Sequence, residues 1–438
     1  MLFFIILWAT SRAAVLAAFF ILFPLITRTL ALTYVDLEGP IYSYEIGEEV
    51  GGGSSMPLFA ISVIAFILPL ILMFRAQSLG DLLKESSIKH VLSKNVVSSV
   101  FIFLLLFVFV LYFDLFSRGT IPLFQGIDRL EYNRDMAGIF HPYVFDFGFL
   151  FASISSTFFV YPRVLGREFD FRFLLIYFFV IVYYALTGNR FSAFYSFTSF
   201  FLLPLAVLLL LSRIGRLKAL NHSRSVLPRI LVARSTVIFS VLLLLFSVGW
   251  LLKTNLTSVR SYEDPTDQFL QRSIVQPIQL WWKTWEGIRE SSTDAGLTWE
   301  AAFFNPIDPT RNTSIQALMI KNLGYQRAGE LLDNGQQYAG GYPEILFELF
   351  TPTAAILTAF IFGFLTAWFL RLALLSVARG QILTALMSIY IYFGFSLLYI
   401  GGMLNFLIVW SFWIKLATLF TSRYLEQRWA FVCYRTIN

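Results

Sequence analysis

Three stretches of this 438-residue chain place arginine beside acidic and small residues, a combination suited to holding an anion. The first is Arg118-Gly-Thr-Ile-Pro-Leu-Phe-Gln-Gly-Ile-Asp-Arg129-Leu-Glu131-Tyr132-Asn133-Arg134-Asp135. The second, Thr187-Gly188-Asn189-Arg190-Phe191-Ser192, is a tight turn between two apolar runs. The third, Tyr338-Ala-Gly340-Gly341-Tyr342-Pro343-Glu344-Ile-Leu-Phe-Glu348, leads into another apolar run, with Arg311 and Arg327 upstream. Glu348 is expected one turn inside a membrane helix, where an unpaired carboxylate is costly, so an arginine is its expected partner. An arginine at a membrane surface can also do no more than pair with lipid phosphate. That reading suits Arg118 better than Arg190, which a two-residue turn pins at the rim of a helix pair. Glu131 and Arg134 also have the spacing of a local helical ion pair.

The elements that must position these stretches are membrane helices. Of all residues 57% are apolar or aromatic and only 14% are charged, and the mean hydropathy is +0.70. Soluble domains carry about 25% charge, and ordinary cores do not need repeated apolar runs of about 20 residues, so lipid must be the solvent for much of this surface. Such runs fall at residues 13–33, 57–75, 97–116, 144–161, 172–187, 192–212, 234–252, 346–370, 381–399 and 404–421. They predict an all-α polytopic membrane protein of about ten transmembrane helices, a single integral membrane domain over residues 1–438. Residues 2–11 are too few to cross and read as an interfacial stub.

Lys and Arg gather in alternate loops, around Lys84, Arg167, Lys218, Arg371 and Arg428, which orients those loops toward the cytoplasm together with both termini. The loop from Tyr34 to Met56 holds Asp36, Glu38, Glu45, Glu48 and Glu49 without Lys or Arg, as an outer loop should. The large polar loop 253–345 and all three arginine stretches then share the outer face, where a basic residue is uncommon unless an anion lies nearby. Within that loop, Phe269, Ile274, Ile278, Trp282 and Trp285 at three- to five-residue steps predict a helix over 268–290, and 314–323 reads as a second. Its aromatic residues read as core or interfacial anchors before sugar platforms. No internal repeat of the transporter kind is visible.

Other classes have weaker support. The one cysteine, Cys433, leaves no intramolecular disulfide, and the three histidines, His90, His141 and His222, lack metal-ligand spacing, so no metal and no cofactor is expected. The formal charge of +6 sits in short loops, where membrane orientation explains it better than nucleic acid. The run from Leu2 to Ala9 lacks a basic leader, so no signal peptide is expected.

Taken together, Phe23-Pro24-Leu25 in an early span, Arg129 to Tyr132 after the third, the turn Gly188 to Arg190, and the late outer loop ending in Pro343-Glu344 with Glu348 resemble the Wzy-type O-antigen polymerases. The resemblance covers most of the chain and lies more in order and topology than in identity. It implies a C-type glycosyltransferase-like fold in the bacterial inner membrane, with the large, partly helical loop in the periplasm. It implies a metal-independent polymerase that joins undecaprenyl-pyrophosphate-linked oligosaccharide repeat units into surface polysaccharide, with membrane lipid and a Wzz-type chain-length regulator as partners. Fixed guanidinium groups would stabilise the pyrophosphate leaving group. On that reading Arg129, Arg134 and Arg190 meet the pyrophosphate and Arg311 or Arg327 completes the clamp. The acceptor proton goes to Glu344, Glu131 or His141, in that order, and Tyr132, Tyr342 and Glu348 complete the substrate site. An O-antigen ligase would want a histidine between residues 253 and 345, and none lies there. A lipid-linked-oligosaccharide flippase would want polar residues along several spans.

Overall fold

The structure is a computed structural model that describes residues 2–75, 92–127, 131–189, 191–213, 267, 270–290, 300, 303, 307, 313–333 and 337–437, with the side chains of 134, 191, 212, 213 and 429–437 excepted. The chain opens with three helices in series, α1 (Leu2–Thr10), α2 (Arg12–Ala17) and α3 (Phe19–Glu38). A hairpin of β1 (Ile41–Ser43) and antiparallel β2 (Glu48–Val50) leads to α4 (Met56–Met73). Then come α5 (Lys94–Ser117), α6 (His141–Val164), α7 (Phe171–Leu186) and α8 (Phe191–Arg213). After these lie α9 (Gln276–Glu290), α10 (Thr313–Leu323), the short α11 (Glu344–Leu349), α12 (Pro352–Arg379), α13 (Ile382–Gly401) and α14 (Trp410–Ile437).

Among the described residues seven helices, α3, α4, α5, α6, α8, α12 and α13, are long and apolar enough to cross a membrane, and α7 is a shorter apolar helix. Outward-facing rings on α5 show what surrounds them: Phe103, Phe109 and Phe113 are each more than 60% exposed. The protein is an all-α, membrane-embedded chain. The expected span at 234–252 lies outside the described residues. The expected stub, α1, is a helix that buries Phe4 and Leu7, and Ser11 caps the start of α2 by accepting from the Ala14 N–H at 3.2 Å. The expected eighth span starts later than its apolar run. Phe350 and Thr351 are extended before Pro352, because a residue preceding proline is pushed out of the helical region. Glu348 therefore sits on a separate short helix, not inside the span.

Prolines inside the bundle free carbonyls that neighbouring helices then satisfy. Pro24 has no N–H to give Phe20, and the Tyr195 hydroxyl of α8 donates to the Phe20 carbonyl at 2.6 Å and to that of Phe19 at 2.9 Å. Pro204 leaves the Phe200 carbonyl in the same position, and Ser153 of α6 donates to it at 3.4 Å. At Pro69 the partner helix comes close instead. A Cβ on Gly363 of α12 would stand 3.0 Å from the Phe66 backbone, so glycine lets the two helices touch.

Polar loops collect at the end of the bundle where α13 finishes. At the opposite end the Glu426 carboxylate of α14 caps the start of α13, accepting from Leu383 N at 2.9 Å and Thr384 N at 3.1 Å. Over the polar end the hairpin is locked to α9 by side-chain amides. Glu45 accepts from Gln276 Nε2 at 2.8 Å and from Gln279 Nε2 at 2.5 Å, and the Ser43 hydroxyl donates to Gln279 Oε1 at 2.7 Å. Lys283 pairs with Glu48 and, at 3.1 Å, with Glu286. Burial alone would lower the Lys283 ammonium pKa, but the two carboxylates outweigh it and raise it.

Candidate functional site

Two polar clusters occupy this end. The first is a ladder between α9 and α11. Residues 277, 281 and 284 of α9 recur at three- and four-residue steps, as do 344, 347 and 348 of α11, so each helix turns one face to the other. In the first rung Arg28 of α3 bridges the two helices. Its Nε donates to the Pro277 carbonyl at 2.7 Å, Nη1 to the Tyr342 carbonyl and Nη2 to Glu344 Oε1. The guanidinium also lies 5.1 Å over the Phe59 ring. In the second rung the Trp281 indole meets Phe347 edge-on at 5.4 Å, and Phe59 likewise at 5.4 Å. In the third rung the Thr284 hydroxyl donates to Glu348 Oε1 at 2.9 Å, while Lys321 of α10 pairs with Oε2.

Glycine and tyrosine seat this ladder on the bundle. Gly341, at φ +112°, packs so closely on the end of α13 that a Cβ would fall 2.5 Å from the Gly401 backbone. The Tyr342 side chain reaches down between helices, its hydroxyl donating to the Ser62 carbonyl at 2.7 Å. Burial, and then the neighbouring Glu344, push the Tyr342 phenol well above its ordinary pKa, so it stays a neutral donor. Glu344 is fully buried, with one oxygen held by Arg28. The other, Oε2, has no hydrogen-bond partner among the described residues.

The second cluster joins α5, α6 and α7 to the segment after α5. His141, the first residue of α6, is buried between two partners, the Tyr183 hydroxyl at 2.8 Å from Nδ1 and Asn133 Oδ1 at 2.9 Å from Nε2. An amide oxygen only accepts, so Nε2 carries the hydrogen and the Tyr183 hydroxyl donates to Nδ1. The Tyr132 ring stands edge-on to His141 at 5.2 Å. Burial first, then the Asp114 carboxylate, raise the Tyr132 phenol pKa. Asp114 pairs with Arg118 at 3.3 Å and presses against Gly138, where a Cβ would overlap its Oδ2 at 1.6 Å. Arg118 thus has partners within the chain, including the Met136 carbonyl at 3.4 Å.

The residues singled out in the sequence divide between these places. Tyr342, Glu344 and Glu348 share the ladder. Tyr132 belongs to the second cluster, beside an exposed Glu131 and the backbone of Arg134. The Gly188 turn lies against this loop, since a Cβ on Gly188 would be 3.4 Å from Pro122. Arg327 is exposed on the polar roof, its Nη2 donating to the Glu45 carbonyl at 3.3 Å. Arg129, Arg190 and Arg311 lie outside the described residues. Glu348 is partnered by a lysine and a threonine where an arginine was expected, because the lysine of α10 is the cation that α11 faces at that level. Sequence reasoning missed Arg28. The signal was there, a lone arginine in the apolar run 13–33, and intramembrane arginines ordinarily have a partner. Among the described residues no three His, Cys, Asp or Glu side chains gather as a metal-holding group.

A family of unknown function (DUF6418) matches residues 308–414. That range takes in α10, the Gly341–Glu348 segment, α12 and α13, and leaves Arg28 and α9 outside it. No curated protein and no solved structure matches the chain.

Proposed function

We propose that the chain is a membrane-embedded glycosyltransferase that joins lipid-pyrophosphate-linked oligosaccharide repeat units, with Glu344 as the base that receives the acceptor proton. The observation that carries this reading is the Glu344 carboxylate itself. It is fully buried, aimed by Arg28 through one oxygen, and left with the other oxygen unpartnered among the described residues, at the end of an apolar bundle where a lipid-linked substrate would present its headgroup. In the reaction the acceptor hydroxyl oxygen bonds to the donor sugar carbon, the carbon–oxygen bond to pyrophosphate breaks with its electron pair leaving on phosphate, and the hydroxyl proton passes to Glu344 Oε2. A good leaving group asks only modest help from the base, about 100- to 10,000-fold for a positioned carboxylate.

Arg28 acts here as a positioning residue, since all three of its guanidinium nitrogens are already engaged. The pyrophosphate falls to Arg129, Arg134 and Arg190, with Arg311 or Arg327 closing the clamp, because bidentate guanidinium groups stabilise charge that develops on phosphate oxygens. His141 is a poor base on this geometry, as both ring nitrogens are occupied. The same reading places the polar end at the periplasmic face of a bacterial inner membrane, both termini in the cytoplasm, about ten spans in a C-type glycosyltransferase-like arrangement, and a Wzz-type regulator as partner. Deleting the gene and resolving surface polysaccharide by gel tests it. Loss of long chains with a single repeat left on the lipid core is expected. Unchanged chains, or a core without any repeat, would overturn the polymerase reading.

A further inference from the structure

Among the described residues Trp281 Nε1 and Glu344 Oε2, on facing turns of α9 and α11, are both without a hydrogen-bond partner, and both residues are fully buried. One is an obligatory donor and the other, when ionised, accepts only. Leaving either unmet in a dry interior is costly, and leaving both unmet within one rung of each other calls for a shared explanation. Neither side chain is free to turn away. Arg28 fixes the second oxygen of Glu344, and the Trp281 ring is wedged edge-on between Phe59 and Phe347, at 5.4 Å from each. A hydroxyl is donor and acceptor at once, and neighbouring hydroxyls on a sugar ring present both functions beside an apolar ring face. Phe59 and Phe347 beside Trp281, and Leu280 beside Gly340, make the surroundings of the two groups apolar.

We propose that Trp281 and Glu344 together bind hydroxyl groups of the acceptor sugar, the indole N–H donating to one oxygen while Glu344 Oε2 accepts from the hydroxyl that reacts. The assignment rests on the transferase reading and extends it, making Trp281 the residue that orients the acceptor. Ala339 is exposed, and its neighbour Gly340 covers the Arg28–Glu344 pair with backbone alone, its absent Cβ lying 3.1 Å from Glu344 Oε1 and 3.5 Å from Arg28 Nη2.

The test uses the full-length protein in lipid nanodiscs, with methyl pyranosides of glucose, galactose, mannose and N-acetylglucosamine as probes followed by saturation-transfer NMR. At least one probe is expected to bind, with Trp281→Phe weakening it about five- to tenfold, the loss expected for one buried hydrogen bond. Trp285→Phe, one turn further along α9, should leave binding unchanged. Equal affinity in Trp281→Phe, or no binding by any probe, would overturn the proposal and leave the two atoms to buried water. Should Trp281→Phe fail to accumulate, the wild-type protein with 15N-labelled indoles gives the same answer. One of its ten tryptophan signals should move on adding sugar, and ten unmoved signals would contradict the site. The gene-deletion phenotype judges the transferase reading separately. Sugar binding with unchanged polysaccharide would sink that reading alone, and lost polymer without sugar binding would sink this one alone.

Discussion

The two polar clusters at the loop-bearing end of the bundle solve the same problem in opposite ways. Around His141 the groups are neutral and complete. Tyr183 donates to the imidazole, the imidazole donates to Asn133, and the nearby charges of Asp114 and Arg118 stay at a partly exposed rim. Around Glu344 an ion pair is buried, with every arginine nitrogen used and one carboxylate oxygen left over among the described residues. A finished network holds a loop in place. An unfinished one, held rigidly at a cost in desolvation, has capacity left for chemistry, and that difference favours Glu344 over His141 as the proton acceptor.

The largest effect that could break this comparison is removal of one partner from the buried pair. Arg28→Met strands a carboxylate in the interior and should cost about 3–5 kcal/mol, read as loss of monodisperse protein after heating in detergent. Arg28→Met combined with Glu344→Met should recover much of that loss. If the double variant is no better than the single one, the pair is not what makes Arg28 matter. Next comes Gly341→Ala, whose Cβ would collide with the Gly401 backbone at a position already at φ +112°. It should cost about 2–4 kcal/mol through overpacking and backbone strain, on the same thermal assay.

At the finished cluster the effect should be smaller. His141→Phe keeps the ring and leaves the Tyr183 hydroxyl and Asn133 without their partner, at about 1–3 kcal/mol. A cost above that of Arg28→Met would reverse the ranking of the two clusters. Tyr195→Phe should be smallest, about 1 kcal/mol, by uncovering the Phe20 carbonyl that Pro24 frees.

How far the sequence foretold this arrangement depended on how local each feature is. Membrane helices were legible because lipid demands a continuous apolar run, and a break such as Thr351-Pro352 shifts an end without hiding the helix. The helix over 276–290 was legible from its apolar steps, with Ile278 and Trp282 both buried as expected. The Arg28–Glu344 pair was not, for its members are 316 residues apart and nothing in one sequence joins them. The role of Trp281 was hidden for a related reason. Its neighbours Trp282 and Trp285 fit the same helical face, and only the meeting of α9 with α11 distinguishes an indole N–H that has no acceptor among the described residues.

On the proposed reaction Glu344 takes the proton while His141 holds a loop. The most direct measurement is the chain length of surface glycan in strains whose sole gene copy carries Glu344→Gln or His141→Gln, each normalised to protein inserted in the membrane. Glutamine at 344 keeps an oxygen for Arg28 but cannot take the proton, so polymer should fall at least about 100-fold and single-repeat glycan should remain, while His141→Gln still makes long chains. Long-chain glycan from well-inserted Glu344→Gln would contradict the account.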